Sequence, residues 1–148
     1  MRYPRPAART LAAAVFLAAP TLTAAAELAV EVRGLRADAG EVRVGLFDNP
    51  KTFASDEGKI AEIVLVPAGG GARGAFADLA PGTYAIAAYH DENGNRSFDK
   101  GLIGWPLEGY AFSNDAPAFL GAPSFAKAAF YVPEGGARVV FRMVYWYH

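Results

Sequence analysis

The stretch "LAVEVRGLRADAGEVRVGLF", residues 28–47, contains two runs of strict alternation. Leu28, Val30 and Val32 alternate with Ala29, Glu31 and Arg33, and Val42, Val44 and Leu46 alternate with Arg43 and Gly45. Successive side chains of a strand point to opposite faces, so a period of two marks a chain with one buried face and one wet face. Between the runs, Gly34 to Gly40 carries turn chemistry and predicts a hairpin joining the two strands.

The same pattern recurs downstream. "IAEIVLV" from Ile60 ends at Pro67 and a Gly69-Gly70-Gly71 turn, and a short strand is expected over Arg73–Leu79. Pro81-Gly82 suits the centre of a type II turn, because Pro presets φ and Gly accepts φ > 0. Beyond it Tyr84, Ile86 and Ala88 share a face. Two C-terminal runs, "AKAAFYV" (126–132) and "ARVVFRMVYWY" (137–147), flank the tight connection "PEGG", with Val139, Phe141, Met143 and Tyr145 on one face. About seven short strands, with no helical period long enough to cover a sheet, predict an all-β, antiparallel β-sandwich. A small outer-membrane barrel is the rival suggested by the aromatic C-terminal strand. Several of the strands fall short of the roughly 9 to 11 residues that a barrel strand needs.

Arg2, Arg5 and Arg9 precede an apolar run from Leu11 to about Leu22, closed by Ala24 and Ala26. That order of charge, apolar core and small residues is a secretory signal peptide over residues 1–26, with cleavage expected after Ala26. An uncleaved anchor is the alternative, but Pro20 breaks the run short of the roughly 20 residues a spanning helix requires. Residues 27–148 are then one β-sandwich domain, periplasmic or secreted. Losing three arginines lowers Lys+Arg from 14 to 11 against 15 Asp+Glu, a net charge of about −4. A mildly acidic chain with dispersed basic residues lacks the footprint of a nucleic-acid binder. No later segment approaches spanning length, and the absence of cysteine leaves stability to packing, with or without an ion.

"HDENGNRSFDKG", residues 90–101, sets Asp91, Asn93, Asn95, Ser97 and Asp99 at alternate positions. Calcium loops of the EF-hand kind draw oxygens from positions 1, 3, 5, 7 and 9, with Gly at 6 and a bidentate Glu at 12. Counted from Asp91, the five oxygen positions are filled, while position 6 is Arg96 and position 12 is Leu102. Glu108 or Asp115 could supply the missing carboxylate. The competing reading is a hydrogen-bonded hairpin tip, since Asp and Asn cap turns without metal. With no thiol and only His90 and His148, a zinc set is not available.

Taken together, "LAPGTYAIAAYHDENGNRSFDKGLIGWPLEGYAFSNDA" (79–116) and "GAPSFAKAAFYV" (121–132) resemble a secreted bacterial family called domain of unknown function 2141. The resemblance runs from Leu28 to Tyr145. It rests on the PGxY turn, the D-x-N-x-N-x-x-x-D loop, the G-x-P-x-E-G-Y-x-F-S-N segment and G-x-P-S-F. It implies an exported, prealbumin-like all-β domain with no established activity. The family often has Gly at the position of Arg96, a departure that weighs against a tight ion loop here.

The connection Asp91–Ser124 spans 34 residues and is rich in aromatics. Long loops in compact domains are uncommon and often functional. Trp105, Glu108, Tyr110, Phe112 and Asn114 are the candidate ligand surface; covering one end of the sandwich is the alternative role for the aromatics. Two functions follow as expectations. One is an exported cell-envelope binding or accessory module for an unidentified partner, with a low-affinity Ca²⁺ loop ordering the long connection. The other is a small envelope hydrolase using Glu108 and Asp115, with His90 and Ser113 nearby; no G-x-S-x-G context supports it.

Overall fold

The structure is a computed structural model that describes residues 25–146. The signal segment expected at residues 1–26 therefore lies outside the described residues except for its last two. Ala26 opens the first strand, buried opposite Leu79.

Eight strands are found among the described residues: β1 (Ala26–Arg33), β2 (Glu41–Phe47), β3 (Ala61–Leu65), β4 (Gly71–Leu79), β5 (Gly82–Asp91), β6 (Gly109–Phe112), β7 (Phe130–Val132) and β8 (Ala137–Arg142). One sheet has the order β4-β1-β8; the other has β3-β2-β5-β6, with β7 pairing the start of β5. The alternating apolar residues make the core. Leu28, Val30, Val32, Phe76, Val139, Phe141 and Met143 from the small sheet meet Val42, Val44, Leu46, Leu65, Ile86 and Ala88 from the large one. Each large aliphatic so buried contributes about 1.5–3 kcal/mol, and this face-to-face packing makes the chain an all-β sandwich.

Strand connectivity departs from the sequence reading in four places. β1 and β2 do not pair: Gly34–Gly40 crosses from the small sheet to the large one rather than turning a hairpin. β1 and β8 run parallel, with Val32 opposite Phe141, so the sheets are not wholly antiparallel. Gly82 does not have positive φ, and the chain passes from β4 in one sheet to β5 in the other without the expected type II turn. "AKAAFYV" is not one strand, because Phe125–Ala128 forms a single helical turn, α1, before β7. Alanine favours the helical turn, while the strand needs the bulkier Phe130-Tyr131-Val132.

The basic residues are also less dispersed than the sequence suggested. On the outer face of the small sheet, Glu31 accepts hydrogen bonds from Arg33 at 2.7 Å, from Arg73 at 3.3 Å and from Arg138. The Glu31 side chain is nearly enclosed, and these guanidinium groups, Arg33 foremost, hold its pKa down at about 2. The triple-Gly turn takes the role expected of it: Asp38 accepts the N–H groups of Gly69 and Gly70 at 2.9 and 3.0 Å, where both residues have positive φ. Gly40 is needed for a different reason. A Cβ there would lie 2.0 Å from the carbonyl oxygen of Asp91, so only Gly lets the crossing segment pack against the start of the polar loop.

Candidate metal loop and aromatic cleft

β5 delivers His90 to the interior and ends at Asp91, both fully buried. Nε2 of His90 lies 2.7 Å from the carbonyl oxygen of Ala39, which can only accept, so that nitrogen carries the proton. Nδ1 then accepts from the hydroxyl of Tyr145 at 2.7 Å. His90 is thus a strand-end clamp between the crossing segment and the C-terminal strand.

From Asp91 onward the loop coils around its own backbone N–H groups. Asp91 accepts from Asn95 at 3.0 Å and Arg96 at 2.7 Å, Asn93 from Asn95 at 3.0 Å, and Asn95 from Ser97 at 2.9 Å. This is the turn-capping chemistry expected of Asx residues. Arg96 takes φ 63°, the left-handed conformation for which an EF-hand loop uses Gly at the same position. With their oxygens engaged on the backbone, Asn93 and Asn95 turn their amide NH₂ groups to the Asp99 carboxylate, at 2.7 and 2.9 Å. Ser97 is exposed at the loop surface.

Glu108 and Asp115, the two carboxylates considered for the twelfth position, part company. Asp115 lies across the molecule, where it accepts the N–H of Arg142 at 2.7 Å. Glu108, one residue before β6, is buried against the loop: its Oε2 accepts the N–H of Asp99 at 3.2 Å, and its Oε1 makes no hydrogen bond. Burial raises its pKa, and the neighbouring Asp99 and Asp91 charges push it further up. On the other side of Asp91, Nε of Arg43 stands 3.5 Å from the carboxylate; Arg43 also pairs with Glu41 and Glu62. Among the described residues, no three Asp, Glu or His side chains are already gathered as a metal shell. The oxygens that surround the loop are nonetheless of the hard kind that Ca²⁺ takes.

The candidate ligand surface does not form one patch. Trp105 stacks on Trp146 with ring centroids 4.7 Å apart, and Asn114 clamps the end of α1 by donating to Ala129 at 2.9 Å and Lys127 at 3.3 Å. Phe112 joins Phe53 and Phe125 in a satellite cluster over Ala85, Ala116 and Ala128, on the outer face of the large sheet. Only Tyr110 and Phe112 share a cleft, of about 370 Å³, whose other walls are Asp115, Pro117, Arg142 and Val144. Arg43 and Arg142 drew no attention in the sequence because nothing in their spacing links them to these segments.

The hydrolase set is likewise dispersed. Ser113 is buried, accepts the N–H of Ile86 at 2.9 Å and donates to Ala128 at 2.5 Å. His90, Glu108 and Asp115 are engaged with the partners already given, and among the described residues no two of the four hydrogen-bond to each other.

The bacterial family described as "Uncharacterized protein conserved in bacteria (DUF2141)" matches residues 30–140. The chain belongs to this family. The matched span of DUF2141 includes the sandwich from within β1 to within β8, together with the polar loop and Glu108. No curated protein and no solved structure matches this DUF2141 chain significantly. Among its described residues, no helix is long and apolar enough to cross a membrane.

Proposed function

We propose that this protein is an exported binding or accessory module of the cell envelope, in which Asp91, Asn93, Asn95, Ser97 and Asp99, completed by Glu108, take one Ca²⁺. The observation that carries the reading is the Glu108 carboxylate, buried, unpaired at Oε1 and repelled by Asp99 and Asp91. A divalent cation relieves that repulsion and gives the stranded oxygen a partner. Glu108 then supplies from the far end of the hairpin what Leu102 at position 12 cannot.

Binding ties Asp91, the last residue of β5, to Glu108, the residue preceding β6, and so orders the segment between them. Affinity is low, about 10⁻⁴ to 10⁻³ M as in extracellular modules, because Arg43 already pairs with Asp91 and the two Asn amides face Asp99. Export is supported by the charge, apolar core and small-residue order of residues 1–26. A cut after Ala26 leaves β1 to start at Glu27, ahead of the Leu28–Phe76 pair.

Calorimetric titration of the chelator-treated protein with CaCl₂ tests the site, with heat of binding expected at one equivalent for wild type and none for Glu108→Gln. Equal binding by both would remove Glu108 from the shell. Intact mass of the exported protein tests the cleavage, and retention of Met1 would contradict it.

A further inference from the structure

Between the polar loop and Glu108, residues 99–107 form a small hairpin of their own. The N–H of Leu107 donates to Asp99 at 3.0 Å, that of Gly101 to Trp105 at 2.8 Å, and that of Gly104 to Gly101 at 2.9 Å. The last bond closes a four-residue turn with Leu102 and Ile103 in its two central positions. Such positions are ordinarily taken by Gly, Pro, Asn, Asp or Ser. Here they hold two branched aliphatics that touch almost nothing: relative exposure is 107 % for Leu102 and 78 % for Ile103, and Leu107 is exposed beside them. Solitary exposed aliphatics are ordinary, but an apolar apex on a projecting hairpin marks an interaction site.

What lies behind the apex indicates its partner. Trp105 stacks on Trp146, which is half exposed, so an amphipathic aromatic pair stands at the base of the hairpin. Lys100 is exposed next to the turn, its ammonium 5.5 Å above the Phe98 ring. The nearby carboxylates face inward: Asp99 is held by Asn93 and Asn95, and Glu108 is buried. The tip therefore presents aliphatic groups first, tryptophan next and a cation last. A bilayer offers hydrocarbon, interface and phosphate in that same order.

We propose that the 99–107 hairpin docks the protein on a phospholipid surface, with Leu102 and Ile103 entering the acyl boundary and Lys100 facing anionic headgroups. The contact is reversible, since two aliphatic side chains and one cation fall short of a stable anchor. It goes beyond the calcium reading and does not require it, because the hairpin's own backbone bonds close it.

The sequence contains two tryptophans, and both sit in this pair, so their fluorescence reports the docking directly. Wild type and Leu102→Ser/Ile103→Ser, prepared in the same N-terminal form, are mixed with vesicles of phosphatidylcholine alone or with 30 % phosphatidylglycerol. Each mixture is run in EDTA and in CaCl₂. Wild type is expected to sediment with the phosphatidylglycerol vesicles, with a blue-shifted tryptophan emission, and the variant to lose about tenfold or more in partitioning. Ile103→Asp gives the same reading should the double variant lower the melting temperature. Failure of wild type to associate in either buffer, or equal association by the variants, overturns the proposal. Docking without a calcimetric signal would leave the hairpin role standing and remove only the calcium site.

Discussion

Oε2 of Glu108 accepts the backbone N–H of Asp99 at 3.2 Å, across the base of a hairpin whose two arms both belong to the long connection after β5. That one bond brings the carboxylate to the polar loop and leaves Oε1 without a partner. It also explains why the connection is ordered without being a regular element throughout: 99–107 is a hairpin, 109–112 is a strand, and Ser113 and Asn114 lock the rest to β5 and α1.

The Ser113 lock is open to a simple test. Its hydroxyl accepts from Ile86 and donates to Ala128, and it is fully buried. Ser113→Ala strands a buried N–H and a buried carbonyl, so unfolding free energy is expected to fall by about 2–4 kcal/mol. Denaturant unfolding measures it, and a change near zero would mean that water replaces the hydroxyl.

Glu31 gives stability a pH dependence of known sign. Its folded pKa of about 2 lies below the ordinary 4.5, so the native state holds the proton less tightly than the unfolded chain does. The stabilisation is fully present above about pH 4.5 and is lost as pH falls toward 2. Melts between pH 6 and 2 are expected to show a shallower acid loss for Glu31→Gln than for wild type; parallel curves would contradict the role given to Arg33, Arg138 and Arg73. Glu108 acts in the opposite sense, because its raised pKa means that its charge costs stability at neutral pH, a cost removed on protonation.

At Arg96 the backbone holds a left-handed conformation that costs an L-residue about 1–2 kcal/mol. Arg96→Gly removes that cost but adds freedom to the unfolded chain, which offsets roughly half of it. The expected net gain is about 0.5–1 kcal/mol in denaturant unfolding. A loss would show that the Arg96 side chain contributes contacts outweighing the strain.

The sandwich was legible because alternation at Leu28–Val32, Val42–Leu46 and Tyr84–Ala88 records burial directly, and these residues are the core. Pairing was less legible. A strand's period gives its buried face and not its neighbour, so Gly34–Gly40 read as a hairpin although it crosses between sheets, and the parallel β1–β8 pair left no local trace. At the polar loop, spacing named the residues, and the structure chose between Glu108 and Asp115. That choice depends on hydrogen bonds spanning 9 and 27 residues, beyond the reach of any local pattern. The aromatic surface scattered because stacking partners such as Trp146 and Phe53 come from elsewhere in the chain.

The central claim is that Glu108 completes a calcium loop, and thermal melting of chelator-treated wild type and Glu108→Gln, each titrated with CaCl₂ and separately with MgCl₂, tests it most directly. For wild type, Ca²⁺ at ten times its dissociation constant is expected to add about 1.4 kcal/mol by mass action. For a domain of this size that is a rise of roughly 3–7 °C in Tm. Mg²⁺ should do much less, since it demands octahedral geometry and holds its water. Glu108→Gln, which removes a buried charge pressed by Asp99 and Asp91, is expected to melt no lower than metal-free wild type and to show no Ca²⁺ response. No Ca²⁺-specific shift in wild type at 10 mM, or an undiminished shift in the variant, would contradict the account.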